Sequence, residues 1–292
     1  MPRNSQKTAL FLGISTFVMW GFFPIYFKLL QNASALEVLA HRIIWSVVFL
    51  LIFIKYKNRI RILQQILHNK KTLKMLFITG LFIASNWGIY IYAVNSNQIL
   101  ESGLGYLINP LFSMLLGAIF LKEKVNLAGK ISIFLVFIAI AIQIYSLGRL
   151  PFISIILPAS FAIYGLLKKR LGVPSMEGLF VETMLLFPIA LLYGTFVCVN
   201  GDGEFGLNHL APIFIFSGIV TVLPLITFNL AAQSLKLSTL GYMQYISPTL
   251  QILVAVLIYG ESLDFYKIVS FAIIWLSIAI ITIDSLKKGK NG

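Results

Sequence analysis

The sequence predicts an all-α integral membrane protein of ten transmembrane helices, arranged as two inverted five-helix repeats. Three observations carry that prediction. The 292 residues are 59% hydrophobic and 11% charged, with a mean hydropathy of +0.91, whereas about 25% of residues are charged in an ordinary soluble domain. Apolar stretches long enough to cross a bilayer follow one another with short connections. Finally, the segment from Glu101 to Glu123 returns in altered form as Thr239 to Glu261.

The spans fall near 8–28, 36–54, 74–95, 101–121, 127–146, 151–168, 177–198, 210–232, 238–258 and 265–284. The first follows Arg3 and Lys7 as a secretory signal would, but it is too long and lacks a small-residue cleavage site, so it is expected to be retained. The longest connection, Lys55 to Lys74, carries Ile60, Leu63 and Leu67 at helical spacing among basic residues. It reads as an amphipathic helix lying on the membrane surface.

Cations accumulate in cytoplasmic loops. With ten spans, one face collects Arg3, Lys7, the seven cations from Lys55 to Lys74, Lys122, Lys124, Lys130, Lys168, Lys169, Arg170, Lys236, Lys287, Lys288 and Lys290. Only Lys28, Arg149 and Lys267 fall opposite, where Asp202, Glu204, Glu261 and Asp264 also lie. Both termini are therefore expected in the cytoplasm. The net charge of +13 belongs to these loops and not to a basic face on a soluble fold, which argues against nucleic acid. The single Cys198 excludes an internal disulfide and any multi-thiolate metal site.

The repeat has a constant offset of 138 residues: Tyr26 falls on Tyr164, Ala93 on Ala231, Gly103 on Gly241, Pro110 on Pro248 and Glu123 on Glu261. Residues 1–146 form the first repeat and 147–292 the second. Five spans is an odd number, so the second copy enters from the other side. Inverted repeats in helical membrane proteins mark secondary transporters, with the substrate held near the midplane where the halves meet.

Within that frame, polar residues inside apolar spans are the candidate site. Asn86, Trp87 and Tyr90 make a polar stripe on the third span that continues to Ala93 and Asn97. On the fourth, Gly103, Tyr106, Pro110 and Ser113 share one face, with Gly241, Gln244, Pro248 and Gln251 as their counterparts on the ninth, and Asn109 of the fourth is a further candidate for holding the solute. Aromatic bodies with a few directed amides suit a neutral or zwitterionic organic molecule better than a metal or inorganic anion; small and polar residues on such faces also serve plain helix packing. Pro110 and Pro248 are expected hinges. Glu37, His41 and Arg42 are expected to form an outer gate, with Glu37 the nearest partner for Arg42, although Arg42 could also snorkel to the interface. Glu177 and Glu182 keep the same five-residue spacing and are expected at the inner mouth. There, paired desolvated carboxylates would favour protonation of one of them.

No G-x-x-x-x-G-K-[ST] loop, H-E-x-x-H or G-x-S-x-G motif occurs, so ATP-driven transport, hydrolysis, a metal and a cofactor are not expected. A membrane-embedded enzyme or a sensor or scaffold subunit is the rival reading. Asn86-Trp87-x-x-Tyr90-x-Tyr92-Ala93-Val94-Asn95-Ser96, continuing through Glu101-Ser102-x-Leu104-Gly105-Tyr106-x-Ile108-Asn109-Pro110-Leu111, resembles the RarD family within the EamA group of the drug/metabolite transporter superfamily. Glu37 with His41-Arg42, and Gln244-Tyr245-Ile246-x-Pro248-Thr249, strengthen the likeness; Gly103 departs from it, standing where a serine is expected. The resemblance implies a permease of the bacterial inner membrane, in a family associated by name with chloramphenicol sensitivity, whose relatives export amino acids, metabolites or drugs. The expected partners are the bilayer, a small organic solute, a coupling proton and a second copy of the chain as a homodimer.

Overall fold

The computed structural model describes residues 3–122, 124–206, 208–235 and 237–290. Glu123 and Lys236, both used in the sequence argument, lie outside the described residues, as do the side chains of Arg3, Lys287, Lys288 and Lys290. The described residues hold thirteen helices and no strand. Ten spans emerge, from Gln6–Lys28 to Phe265–Asp284, so the two chain ends lie on one face, here called terminal, and the other face is distal.

The first span is α1 (Arg3–Gly21) and α2 (Phe23–Lys28), broken where Pro24 takes one of the first two positions of α2. The second is α3 (Ala35–Tyr56), with Ser34 capping the Glu37 amide. A short α4 (Ile60–His68) leads to α5 (Lys70–Asn95), α6 (Ile99–Phe120) and α7 (Leu127–Leu147). The second half supplies α8 (Phe152–Leu171), α9 (Ser175–Val199) and α10 (Ala211–Ala232). Its ninth span is split into α11 (Leu237–Met243) and α12 (Ile246–Leu257), and α13 (Phe265–Lys290) is the tenth.

The two expected hinges differ. Pro248 removes the helical bond to the carbonyl of Gln244, and the helix parts at that residue. Its counterpart Pro110 sits inside α6, which runs on through it unbroken.

The broadest contacts all join the two halves: α6 with α8, α3 with α9, α7 with α13, α3 with α10, α5 with α8, and α1 with α10. They obey the repeat, because α3 on α10 answers α9 on α5, and α6 on α8 answers α12 on α1. Side chains such as Phe11, Ile52, Phe134, Phe196 and Leu257 remain exposed on the outside of the bundle. On a chain with ten apolar spans these belong against lipid.

The expectation for α4 needs correcting. Leu63 and Ile66 are buried against Leu50, Ile54, Leu76 and Phe180, so its apolar side packs on the ends of α3, α5 and α9. The periodicity was legible, but an apolar stripe does not tell protein from lipid as its partner.

Candidate functional site

A cavity of about 530 Å³ lies between the halves. Its walls include Asn86, Trp87 and Tyr90 of α5, Tyr106 and Asn109 of α6, and Gln244 and Gln251 of the ninth span, so all seven residues singled out for binding meet there. Pro248 and Arg42 also line it. Glu37, His41, Glu177, Glu182 and Pro110 do not.

The polar stripe does two jobs. Asn86 is buried and saturated: its amide donates to the Leu157 carbonyl at 2.9 Å and to Ser160 Oγ at 3.0 Å, and its oxygen accepts from Tyr106 at 3.2 Å. It thereby ties α5, α6 and α8 together, which is the packing role such residues also serve. Gln251 donates to the Trp20 carbonyl at 3.2 Å, joining α12 to α1. By contrast Tyr90 Oη, Asn109 Oδ1 and Gln251 Oε1 have no protein partner. Asn97, the last member of the stripe, lies beyond α5 and accepts from Lys28 Nζ at 2.6 Å.

Sequence reasoning missed a second wall. Phe17, Trp20 and Phe228 form an aromatic group with ring centroids 5.4–6.1 Å apart. Phe23, Phe161, Tyr164 and Thr221 complete it. The aromatic residues carry no polar mark within their apolar runs; the only available signal was that Tyr164 repeats Tyr26.

Toward the distal face the cavity wall merges into buried packing. Phe23 and Tyr90 belong both to the cavity wall and to the largest buried cluster, where Phe27, Val38, Leu107, Ile108, Leu157 and Phe214 also sit. Toward the terminal face the lining continues to Leu179 near the start of α9, Phe228 near the end of α10, and Leu240 and Gly241 in α11.

The charged residues obey the repeat in position, and the inner pair reverses it in sign. Glu37 and Glu177 are the third residues of α3 and α9, and Arg42 and Glu182 are the eighth. Glu37 accepts the Glu204 and Phe205 amides at 2.8 and 2.9 Å, holding the α9–α10 connection on the distal face. Glu177 takes Arg59 Nη1 at 3.0 Å, holding the α3–α4 connection on the terminal face. Deeper in, Arg42 Nε donates to Thr221 of α10 at 2.9 Å, while Glu182 accepts from Thr79 of α5 at 2.7 Å.

Two expectations fail here. Arg42 does not pair with Glu37, because five residues along a helix turn the second side chain about 140° from the first. Its guanidinium lies on the Trp87 ring at 4.0 Å instead, and with only 4% exposure it does not snorkel. Nor do Glu177 and Glu182 form a carboxylate pair. Glu182 has its own cation, Lys168 Nζ at 3.0 Å, with Tyr164 donating at 3.2 Å. His41 is packed between Phe205 and Phe214, with ring centroids at 4.1 and 4.8 Å, and its Nδ1 has no partner.

A largely apolar cavity with a few convergent polar groups between two inverted five-helix halves, inside ten spans of bilayer length, belongs to a multi-pass membrane transporter. The family model described as "EamA-like transporter family" matches the chain twice, over residues 7–145 and 151–283, and the chain belongs to that family. Over 98% of its length it is 41% identical to an "Uncharacterized transporter" of Vibrio cholerae, covering 96% of that protein. It is 36% identical to "Protein RarD" of Escherichia coli, over 98% of this chain and 97% of that one. A "Chloramphenicol-sensitive protein RarD" of Pseudomonas aeruginosa is 26% identical, with 94% of each chain covered. A solved crystal structure shares the fold at a TM-score of 0.61 and 14% identity, over 96% of this chain and 98% of its own.

Proposed function

We propose that this transporter is a secondary-active permease that exports a small organic solute across the bacterial inner membrane by alternating access. The observation that carries the proposal is the cavity itself: both repeats wall it, its distal part merges into the largest buried cluster, and the lining runs on toward the terminal face. An inverted pair of halves has an equivalent arrangement open the other way. The loop cations support a cytoplasmic terminal face. On that assignment the present arrangement is the inward-facing one, ready to load solute from the cytoplasm.

Glu182 is the coupling group in this reading. It is buried, and Lys168, Tyr164 and Thr79 face it from α8 and α5. Tyr164 also lines the cavity, so a proton arriving at Glu182 would release Lys168 and Tyr164 beside the solute.

The test is flux in liposomes. Ligand-dependent thermal stabilisation of purified protein across amino acids, amphenicols, quaternary amines and organic acids selects a solute. Reconstituted protein is then expected to move that solute by counterflow and against its gradient when a pH gradient is imposed. A stabilising solute that crosses no faster than in protein-free liposomes would sink the transport reading.

A further inference from the structure

Arg42 is a buried cation without an anion. Among the described residues no carboxylate lies within salt-bridge distance of its guanidinium, and its protein hydrogen bond, from Nε to Thr221, leaves both Nη groups without a protein acceptor. Its other contacts are ring faces: Trp87 at 4.0 Å, Phe27 at 5.3 Å and Phe23 at 5.9 Å. A buried unpaired charge is costly unless something compensates it. The edge of the guanidinium is the part left for hydrogen bonding, and it matches a carboxylate in bidentate fashion.

The rest of the cavity narrows the class. Arg42 is the charged residue among those described in the lining, where no Asp or Glu occurs, so the lining carries one positive charge. An organic cation would meet like charge there. A zwitterion would bring an ammonium, a second positive charge, to a lining whose unpartnered acceptors, Tyr90 Oη, Asn109 Oδ1 and Gln251 Oε1, are all neutral. A monoanion leaves the site neutral, and the rings of Phe17, Trp20 and Phe228 take an apolar body.

Resting on the transport reading above, we propose that Arg42 is the carboxylate-receiving group of the cavity and that the solute is a monoanionic organic acid with an aromatic or branched apolar body. Titration calorimetry on the full purified chain tests it with one matched series: hydrocinnamate, hydrocinnamamide, phenylalanine and phenylpropylamine. Hydrocinnamate is expected to bind best. Arg42→Gln is expected to weaken it by about 10-fold or more, the scale of a lost charge-assisted hydrogen bond, and to weaken the amide, which offers one neutral carbonyl acceptor, distinctly less.

The proposal is overturned if the amide binds wild type as tightly as the acid, if phenylalanine or the amine binds better, if none of the four binds, or if Arg42→Gln leaves hydrocinnamate unaffected. Should that variant not fold, the wild-type series decides alone. Counterflow of any stabilising solute in liposomes judges the transport reading separately, so a transporter of some other solute would survive the loss of this assignment.

Discussion

Gly80 and Gly218 stand one repeat apart and serve opposite crossings of the bundle. A Cβ on Gly80 would lie 3.2 Å from the backbone oxygen of Glu182, where α5 meets α9. A Cβ on Gly218 would lie 2.6 Å from both the carbonyl carbon and oxygen of Trp45, where α10 meets α3. Both glycines let a helix reach the helix that carries the buried charge. At Gly218 the obstacle is backbone and cannot swing aside. Gly218→Ala is therefore expected to cost about 1–3 kcal/mol, as overpacking does, and Gly80→Ala distinctly less. Thermal unfolding in detergent checks the order; equal losses would mean the two crossings adjust alike.

Tyr90 and Gln244 test the cavity without testing the fold. Tyr90→Phe removes a hydroxyl that has no protein partner, so stability should change little while counterflow falls. Gln244→Ala should abolish transport at normal expression. Asn86→Ala is the control in the other direction: it strips three hydrogen bonds linking α5, α6 and α8, and the protein should melt earlier. Transport that survives both of the first two changes would leave the amide and the phenol as packing.

Glu182→Gln keeps the shape of the side chain and removes its charge. In liposomes with an imposed pH gradient, wild type is expected to accumulate solute and the variant to equilibrate it. Counterflow without a gradient should persist in both. A wild type indifferent to the gradient refutes coupling by protons, and a variant that still follows it fully refutes the role of Glu182.

Topology can be read in intact cells from a Cys198→Ser background, since Cys198 is exposed. A cysteine at Asn208 should react with an impermeant thiol reagent and one at Asn69 should not. The reverse pattern would invert the cation argument.

Glu261, which closes the second copy of the repeated stretch, serves as a cap. Its carboxylate accepts the Ile99 and Leu100 amides at 2.7 and 2.8 Å, capping the first turn of α6 from the end of the ninth span. Glu261→Ala is expected to lower stability by about 1 kcal/mol, the usual worth of a cap. A melting temperature within error of wild type would show that solvent caps α6 equally well.

Spans, repeat and the polar part of the cavity were legible because each rests on a periodic or compositional signal. Ten apolar runs have few alternatives in lipid, and a shared offset for Gly103 and Gly241, or Pro110 and Pro248, is hard to produce otherwise. Partners were not legible. Arg42 finds Thr221, and Glu177 finds Arg59, across 179 and 118 residues, and nothing local to either charge announces such a choice. The aromatic wall was invisible for a related reason: Phe17 and Trp20 look the same in a sequence whether they face lipid or a cavity.

The predominance of contacts between the halves has a consequence for how the protein is made. A ribosome that has delivered the chain as far as Leu147 has inserted five spans whose main neighbours do not yet exist. Each helix is stable on its own in lipid, because its backbone bonds are internal. The group has little to hold it in place, though, so assembly must wait for synthesis of the second half. A stop midway would leave separate helices and not a smaller working protein, whereas the two halves expressed as separate chains should still find each other.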